Sequence, residues 1–164
     1  MDTTEILIKI RKIVRSINIE SKKIQKEYGV SIPQVLCLNY LKNSDNYQAT
    51  QGELRKFLNL NSSTISGIIN RLEIKGLVAR LPRQGDKRIV NIALTSKGDL
   101  LLQQIPSLLQ VKLSERLDKL DNKIVIQIFE SLEFLVNLLD INDIEAFPSF
   151  PADDIHVDIN NRKS

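Results

Sequence analysis

Apolar residues recur at helical spacing over most of this chain, and the pattern gives way to strand-like runs in one short region. From Thr3 to Tyr28, Ile6, Ile10, Ile13, Ile17, Ile24 and Tyr28 fall near one side, with Lys and Arg on the other, and Gly29 ends the run. At 1.5 Å per residue such a helix is about 37 Å long, more than a small domain needs for itself. Ser31-Ile32-Pro33-Gln34 is a capping box with proline in the tolerated first turn. It opens a helix to about Asn43, with Val35, Leu38 and Leu41 inward. The polar run Asn43 to Ala49 reads as a connecting loop.

Thr50-Gln51-Gly52-Glu53 is a second capping box, and Leu54, Phe57 and Leu58 give the apolar side of a helix of about two turns. The next helix runs from an Asn61 cap to Lys75. Ile65, Ile68, Ile69 and Leu72 form its apolar stripe, Leu60 and Ile65 pair as a hydrophobic staple, and Gly76 stands where a left-handed residue closes the end. Two β-branched runs follow, Leu77 to Leu81 and Ile89 to Leu94, joined by the basic, turn-rich loop Pro82-Arg83-Gln84-Gly85-Asp86-Lys87-Arg88. Thr95 caps a further helix bearing Leu100, Leu101, Ile105, Leu108 and Leu109, which Pro106 should kink or break. Leu113, Leu117 and Leu120 continue the stripe. Asp121 caps a last helix carrying Ile124, Val125, Ile128, Leu132, Leu135, Val136 and Leu139. These stripes exceed what the compact middle of the chain can cover, so the long helices are expected to meet a second copy.

The face of the Asn61–Lys75 helix opposite its apolar stripe carries Ser63, Gly67 and Asn70, with Ser66 and Arg71 on its flanks, and Ser62 and Thr64 of the first turn join them as candidate contacts. Such residues let a helix approach a surface closely while offering donors and acceptors at its front. A DNA major groove about 12 Å wide admits a helix of this kind. An ordinary solvated face would more often carry Lys/Glu pairs at i,i+4. The basic loop beside it, with Arg80, Arg83, Lys87 and Arg88, suits a minor groove or the phosphate backbone. Asp86 is then a brace for Arg88 through a charge-assisted pair.

Three pieces of this region together resemble the winged helix-turn-helix of the MarR family of bacterial transcriptional regulators. They are Glu53-Leu54; Ser63-Thr64-Ile65-Ser66 with Arg71-Leu72-Glu73 and Lys75-Gly76-Leu77-Val78-Ala79-Arg80; and Asp86-Lys87-Arg88 leading to Leu94-Thr95 and Gly98. The resemblance is close from Ser31 to Gly98 and extends to the flanking helices by pattern alone. Gly67 departs from it, standing where a bulkier contact residue is often found. The resemblance implies that the Asn61–Lys75 helix enters the major groove, that Arg88 reaches the minor groove and that Asp86 orients it. It also implies a homodimer with interleaved terminal helices, and a small, often phenolic or anionic effector bound between those helices and the reading module. No constellation in this sequence selects such a ligand.

Composition fits this picture. The 164 residues are 42% apolar and 26% charged, ordinary for a soluble domain. No apolar run approaches the roughly 20 residues that span a bilayer, and no secretory signal opens the chain, so a cytoplasmic protein without membrane partners is expected. The net charge of +3 is unevenly placed. Residues 51–100 hold nine Lys/Arg against four acids, whereas residues 141–164 hold two against five. The positive charge therefore lies on the proposed reading module, as nucleic-acid binding requires. One His, one Cys, no phosphate-cradling glycine loop and no paired acids in an apolar setting argue against an enzyme and against any cofactor. Cys37, beside an inward stripe, reads as a core residue. The tail from Ile141, with Phe147, Phe150 and His156 among acids, reads as irregular, and His156 between Asp154 and Asp158 as solvated rather than metal-binding.

The expected fold is therefore mainly α, an α+β winged helix-turn-helix with a small β-hairpin wing and long N- and C-terminal helices forming a dimerisation region. Residues 1–140 form one domain, with 31–98 as the DNA-binding module and 1–30 and 99–140 as the dimerisation region; 141–164 is an acidic tail. The expected function is a sequence-specific double-stranded DNA-binding regulator, a repressor, acting as a homodimer on a near-palindromic operator and released by a small molecule. The alternative is a winged-helix module that binds protein without reading DNA.

Overall fold

The computed structural model describes residues 2–82, 85 and 88–144. The Arg83, Asp86 and Lys87 assignments, and the tail residues Phe147, Phe150 and His156, lie outside that set. The order is α1 (Thr3–Tyr28), α2 (Ile32–Lys42), a 3-10 turn (Asp45–Tyr47), β1 (Gln48–Thr50), α3 (Gln51–Leu58), α4 (Ser62–Ile74), β2 (Val78–Pro82), β3 (Val90–Leu94), α5 (Ser96–Gln104), α6 (Leu109–Leu117) and α7 (Asn122–Leu138). Two compact units result, one within Met1–Ile105 and one within Pro106–Ala146, and the break falls at Pro106, the residue that cannot continue a helix.

The helix ends are where side-chain chemistry places them. Asp2, Ser31, Thr50, Asn61, Thr95 and Asp121 each accept from a backbone N–H of the first turn they precede, and Ser31 and Thr50 complete reciprocal boxes with Gln34 and Glu53. Gly29 ends α1 at φ 68°. At the end of α4, Gly76 (φ 71°) donates to the Glu73 carbonyl at 2.8 Å and Leu77 to the Leu72 carbonyl at 2.9 Å, a Schellman closure that turns the chain directly into β2.

The core of the first unit sits around α2. Ile32, Val35, Leu36, Cys37, Leu38 and Leu41 are all buried, as are Pro33 and Gln34, so this helix is covered nearly all round rather than on one stripe. Gln34 tolerates burial because its side-chain oxygen accepts from the Ser31 N–H at 3.0 Å. Ile65, Ile68, Ile69 and Leu72 of α4, Leu54 of α3 and Ile92 of β3 pack into the same core. Phe57, expected inward on α3, is half exposed and lies against the Tyr40 ring, 4.6 Å between centroids.

The sheet has three antiparallel strands in the order β1-β3-β2, one more than a simple hairpin wing. Ala49 pairs with Ile92 and Arg80 pairs with Ile92 from the other side. The segment expected as a polar loop thus ends in a strand, which carries the Thr50 cap of α3 on the sheet that also bears the wing. Three residues, two of them Gln and Thr, are too few to show a period of two.

The start of α5 is packed tightly onto the end of α4. Thr95 donates through its hydroxyl to the Gly76 carbonyl at 2.7 Å, and Lys97 donates to the Lys75 carbonyl at 2.8 Å. A Cβ on Gly98 would stand 2.3 Å from the Leu77 carbonyl oxygen and 2.8 Å from the Leu94 side chain. Gly98→Ala should therefore cost about 1–3 kcal/mol as the helix is pushed off the strand, read as a lower denaturant midpoint. An unchanged midpoint would mean the approach is looser than described.

The Cys37 side chain is fully buried, and burial pushes its thiol up to about 12. The raised value means the thiol ionises earlier in the unfolded chain, so its contribution to stability is complete below the unfolded pKa and declines as pH rises through the interval up to about 12. At neutral pH it is expected to react with a thiol-disulfide reagent only after unfolding in denaturant. Rapid labelling of the native protein would contradict this placement.

Candidate nucleic-acid interface

α4 presents its polar face outward because its four large apolar residues are spent on the core. Ser62, Ser63 and Asn70 are exposed, Ser66 and Gly67 half-buried between them, and Arg71 exposed on the flank. An added Cβ at Gly67 would meet nothing within 4 Å, so this position is open space on the helix front. The Asn61 side-chain oxygen accepts from the Thr64 N–H and from the Ser63 hydroxyl, both at 2.8 Å. Ser63 is thereby held in one orientation, with its oxygen left to accept. Arg71 makes no side-chain hydrogen bond or ion pair among the described residues.

Arg80, expected as a wing contact, has its guanidinium turned onto α4. It forms an ion pair with Glu73 and donates a second hydrogen bond to the Asn70 side-chain oxygen. Arg88 lies at the base of the wing, exposed, just before β3.

Between the start of α3, the start of α4 and the wing lies a cleft of about 540 Å³. Gln51, Arg55, Ser62, Arg80 and Arg88 line it, with Ile92 among the apolar residues. Arg55, Arg88 and the first turn of α3 meet here beside Arg80, whose guanidinium is engaged by Glu73 and Asn70, and the described lining residues include no carboxylate. That arrangement suits an anionic strand such as a phosphodiester backbone. Arg55 and Gln51 were not singled out from the sequence. The signal was present: the Thr50–Glu53 box fixes the start of α3, and Arg55 lies one turn further on. Ile74 was also missed. It is 86% exposed on the same side of α4 as Asn70, an apolar group suited to a thymine methyl.

A second cavity, of about 380 Å³, opens where α1, α4 and α5 end or begin. Tyr28, Lys75 and Lys97 line it together with Leu77, Leu100 and Leu101. Tyr28 donates to the Gln104 carbonyl at 3.1 Å, and Lys75 donates to the Gly29 carbonyl.

Among the described residues no helix is long and apolar enough to cross a membrane, and no group of His, Cys, Asp and Glu could hold a metal ion.

Residues 28–89 match the family model described as MarR family. The chain is 29% identical over 96 residues to the uncharacterised HTH-type transcriptional regulator YsmB of Bacillus subtilis (strain 168), an overlap of 58% of this chain and 64% of that one. It thus spans just under two thirds of that relative's length. Among solved structures, the Staphylococcus aureus MepR–DNA complex superposes with a TM-score of 0.60 at 22% identity, covering 79% of this chain and 94% of MepR. Sco3205 of Streptomyces coelicolor, a MarR family transcriptional regulator also seen with DNA, gives a TM-score of 0.60 at 21% identity, covering 88% and 93%. At these identities the superpositions show the fold alone.

Proposed function

Because residues 28–89 match the MarR-family model, we propose that this chain is a transcriptional regulator that binds double-stranded DNA in a sequence-specific way as a homodimer. The observation that carries this reading is the continuous surface made by the open front of α4 and the adjoining Arg55–Arg80–Arg88 cleft. A helix front without large side chains can sink into a major groove, while the cleft takes the neighbouring phosphates. In this reading Ser63, Ser66, Asn70 and Arg71 face base edges, and Arg83, Lys87 and Arg88 lie at the minor groove or backbone, with Asp86 bracing Arg88.

Two unpartnered apolar helical surfaces support the dimer. Ile6, Ile13, Val14 and Ile17 of α1 are exposed in the first unit, and α7 exposes Ile124, Phe129, Leu132 and Leu138 in the second. Residues 1–30 and 99–140 are then the dimerisation region of one domain spanning 1–140. Two-fold symmetry predicts half-sites separated by about one helical turn, roughly 34 Å.

Repression follows if the site overlaps a promoter, and release follows if an effector prefers a different spacing of the two reading heads. The cavity lined by Tyr28, Lys75 and Lys97 together with Leu77, Leu100 and Leu101 is the candidate place for a small anion with an apolar body. The setting would be the cytoplasm.

Selection from a random duplex library with the purified protein tests the reading. Enrichment of an inverted repeat is expected. No enrichment of any sequence would favour the winged helix as a protein-binding module instead.

A further inference from the structure

The side chain at the centre of the α4 front is held from behind. Asn70 is exposed, and its amide oxygen accepts from one nitrogen of the Arg80 guanidinium. The other terminal nitrogen of Arg80 is paired with the Glu73 carboxylate, one turn along α4. Arg80 itself is fixed in the middle of β2, opposite Ile92 of β3, and its side chain and that of Glu73 are only 30% and 39% exposed. Helix and strand therefore position the guanidinium from opposite sides.

A guanidinium has five N–H donors and no acceptor. The group of Asn70 that faces it must be the oxygen, so the two N–H donors of the amide face away, toward the open front of the helix. An asparagine free to rotate reads adenine bidentately, accepting from N6 through its oxygen while donating to N7. In Asn70 that oxygen is already engaged by a cation, which also weakens it as an acceptor and strengthens the opposite N–H groups as donors. The front of α4 then offers donors at its centre. Guanine, with O6 and N7 both acceptors on the major-groove edge, is the matching base.

We infer that Glu73, Arg80 and Asn70 form a specificity-determining relay in which Arg80 is a positioning residue, presetting Asn70 as a donor that selects guanine over adenine at one position of each half-site. This rests on the proposed DNA-reading function and adds to it the identity of one base and the residue behind the choice.

The test is the same duplex-library selection run in parallel on the wild-type chain, Asn70→Ala, Arg80→Met and Glu73→Gln, with a thermal melt of each variant. Asn70→Ala marks the position by flattening its preference. The wild-type protein should favour guanine over adenine there by about tenfold, the discrimination expected of one good base contact. In Arg80→Met the amide is released, and the ratio should fall to near one or invert toward adenine while other positions keep their preferences. Glu73→Gln keeps the fold contact but removes the anchoring charge, and should move the ratio in the same direction by less. If Arg80→Met does not fold, Glu73→Gln decides alone. A wild-type preference for adenine at the marked position overturns the inference. So does an unchanged ratio in both variants, or an affinity loss spread evenly over all sequences, the mark of a phosphate contact or a strut. Failure of the wild-type chain to enrich any sequence would instead sink the DNA-reading function, so the two failures are distinct.

Discussion

Phe129→Glu should leave the proposed homodimer monomeric and lower operator affinity by about a hundredfold or more, the gain that linking two binding heads ordinarily provides. The reason lies in the make-up of α7. Between Ile124 and Leu138 its only charged residues are Glu130 and Glu133, and large apolar side chains point in nearly every direction: Ile124, Ile126, Ile128, Phe129, Leu132, Phe134 and Leu138 are all exposed. A helix apolar around its circumference is stable when covered. Phe129 is 63% exposed in the single chain and has the bulk to anchor a seam. A glutamate there would have to enter the seam unpaired or keep it open. Sedimentation of the variant as a monomer that still melts cooperatively is the expected result. A variant that sediments as a dimer with full DNA affinity would place the interface elsewhere.

Arg88→Ala should weaken DNA binding by about tenfold to a hundredfold and make it less sensitive to salt. Arg88 shares its cleft with Arg55 and Arg80, but Arg80 is turned onto Glu73 and Asn70. Arg88 is exposed just before β3 and is the wing-side cation among the described lining residues of that cleft. Each cation–phosphate contact contributes to the slope of log affinity against log salt, so a dimer losing two such contacts should show a slope shallower by about two. Affinity measured across a salt series separates this from a folding defect, which would leave the slope of the surviving active fraction unchanged. Equal slopes for variant and parent would remove Arg88 from the interface.

Much of this molecule is readable from its residues because its helices announce their ends. Asn61, Thr95 and the two capping boxes place the starts of four helices, since a side-chain acceptor three residues before a free N–H has few other uses. Gly76 marks the end of α4 for the complementary reason, a left-handed turn that other residues resist. Strand β1 was hidden because Gln48, Ala49 and Thr50 have no strand signature of their own, and their pairing with β3 is a tertiary fact. The burial of α2 on all sides was hidden too: Gln34 and Tyr40 interrupt its apolar pattern, although Gln34 is internally satisfied and Tyr40 is covered by Phe57.

In the candidate interface, the pattern of small residues on α4 reveals the face because helical geometry fixes which residues share it. The cleft required three elements distant in sequence, so Arg55 carried no mark of its own. Arg80 shows the limit most clearly. A basic residue beside a wing is read by proximity in sequence, whereas its partners Glu73 and Asn70 are chosen by how β2 crosses α4, which spacing alone does not encode.

The sheet bears on how two copies of this chain would meet in the proposed dimer. Its inner strand, β3, is paired on both sides; of the two outer strands, β1 is three residues long and β2 ends at Pro82, which has no N–H to offer. Short outer strands and a terminal proline are poor templates for another chain's backbone. A protein that exposes this much aliphatic and aromatic surface on its helices is at risk of indiscriminate aggregation while that surface is uncovered. Blunted strand margins close the cross-β route, leaving helix-on-helix contact, which is self-limiting when two-fold symmetric, as the cheaper way for two copies to associate.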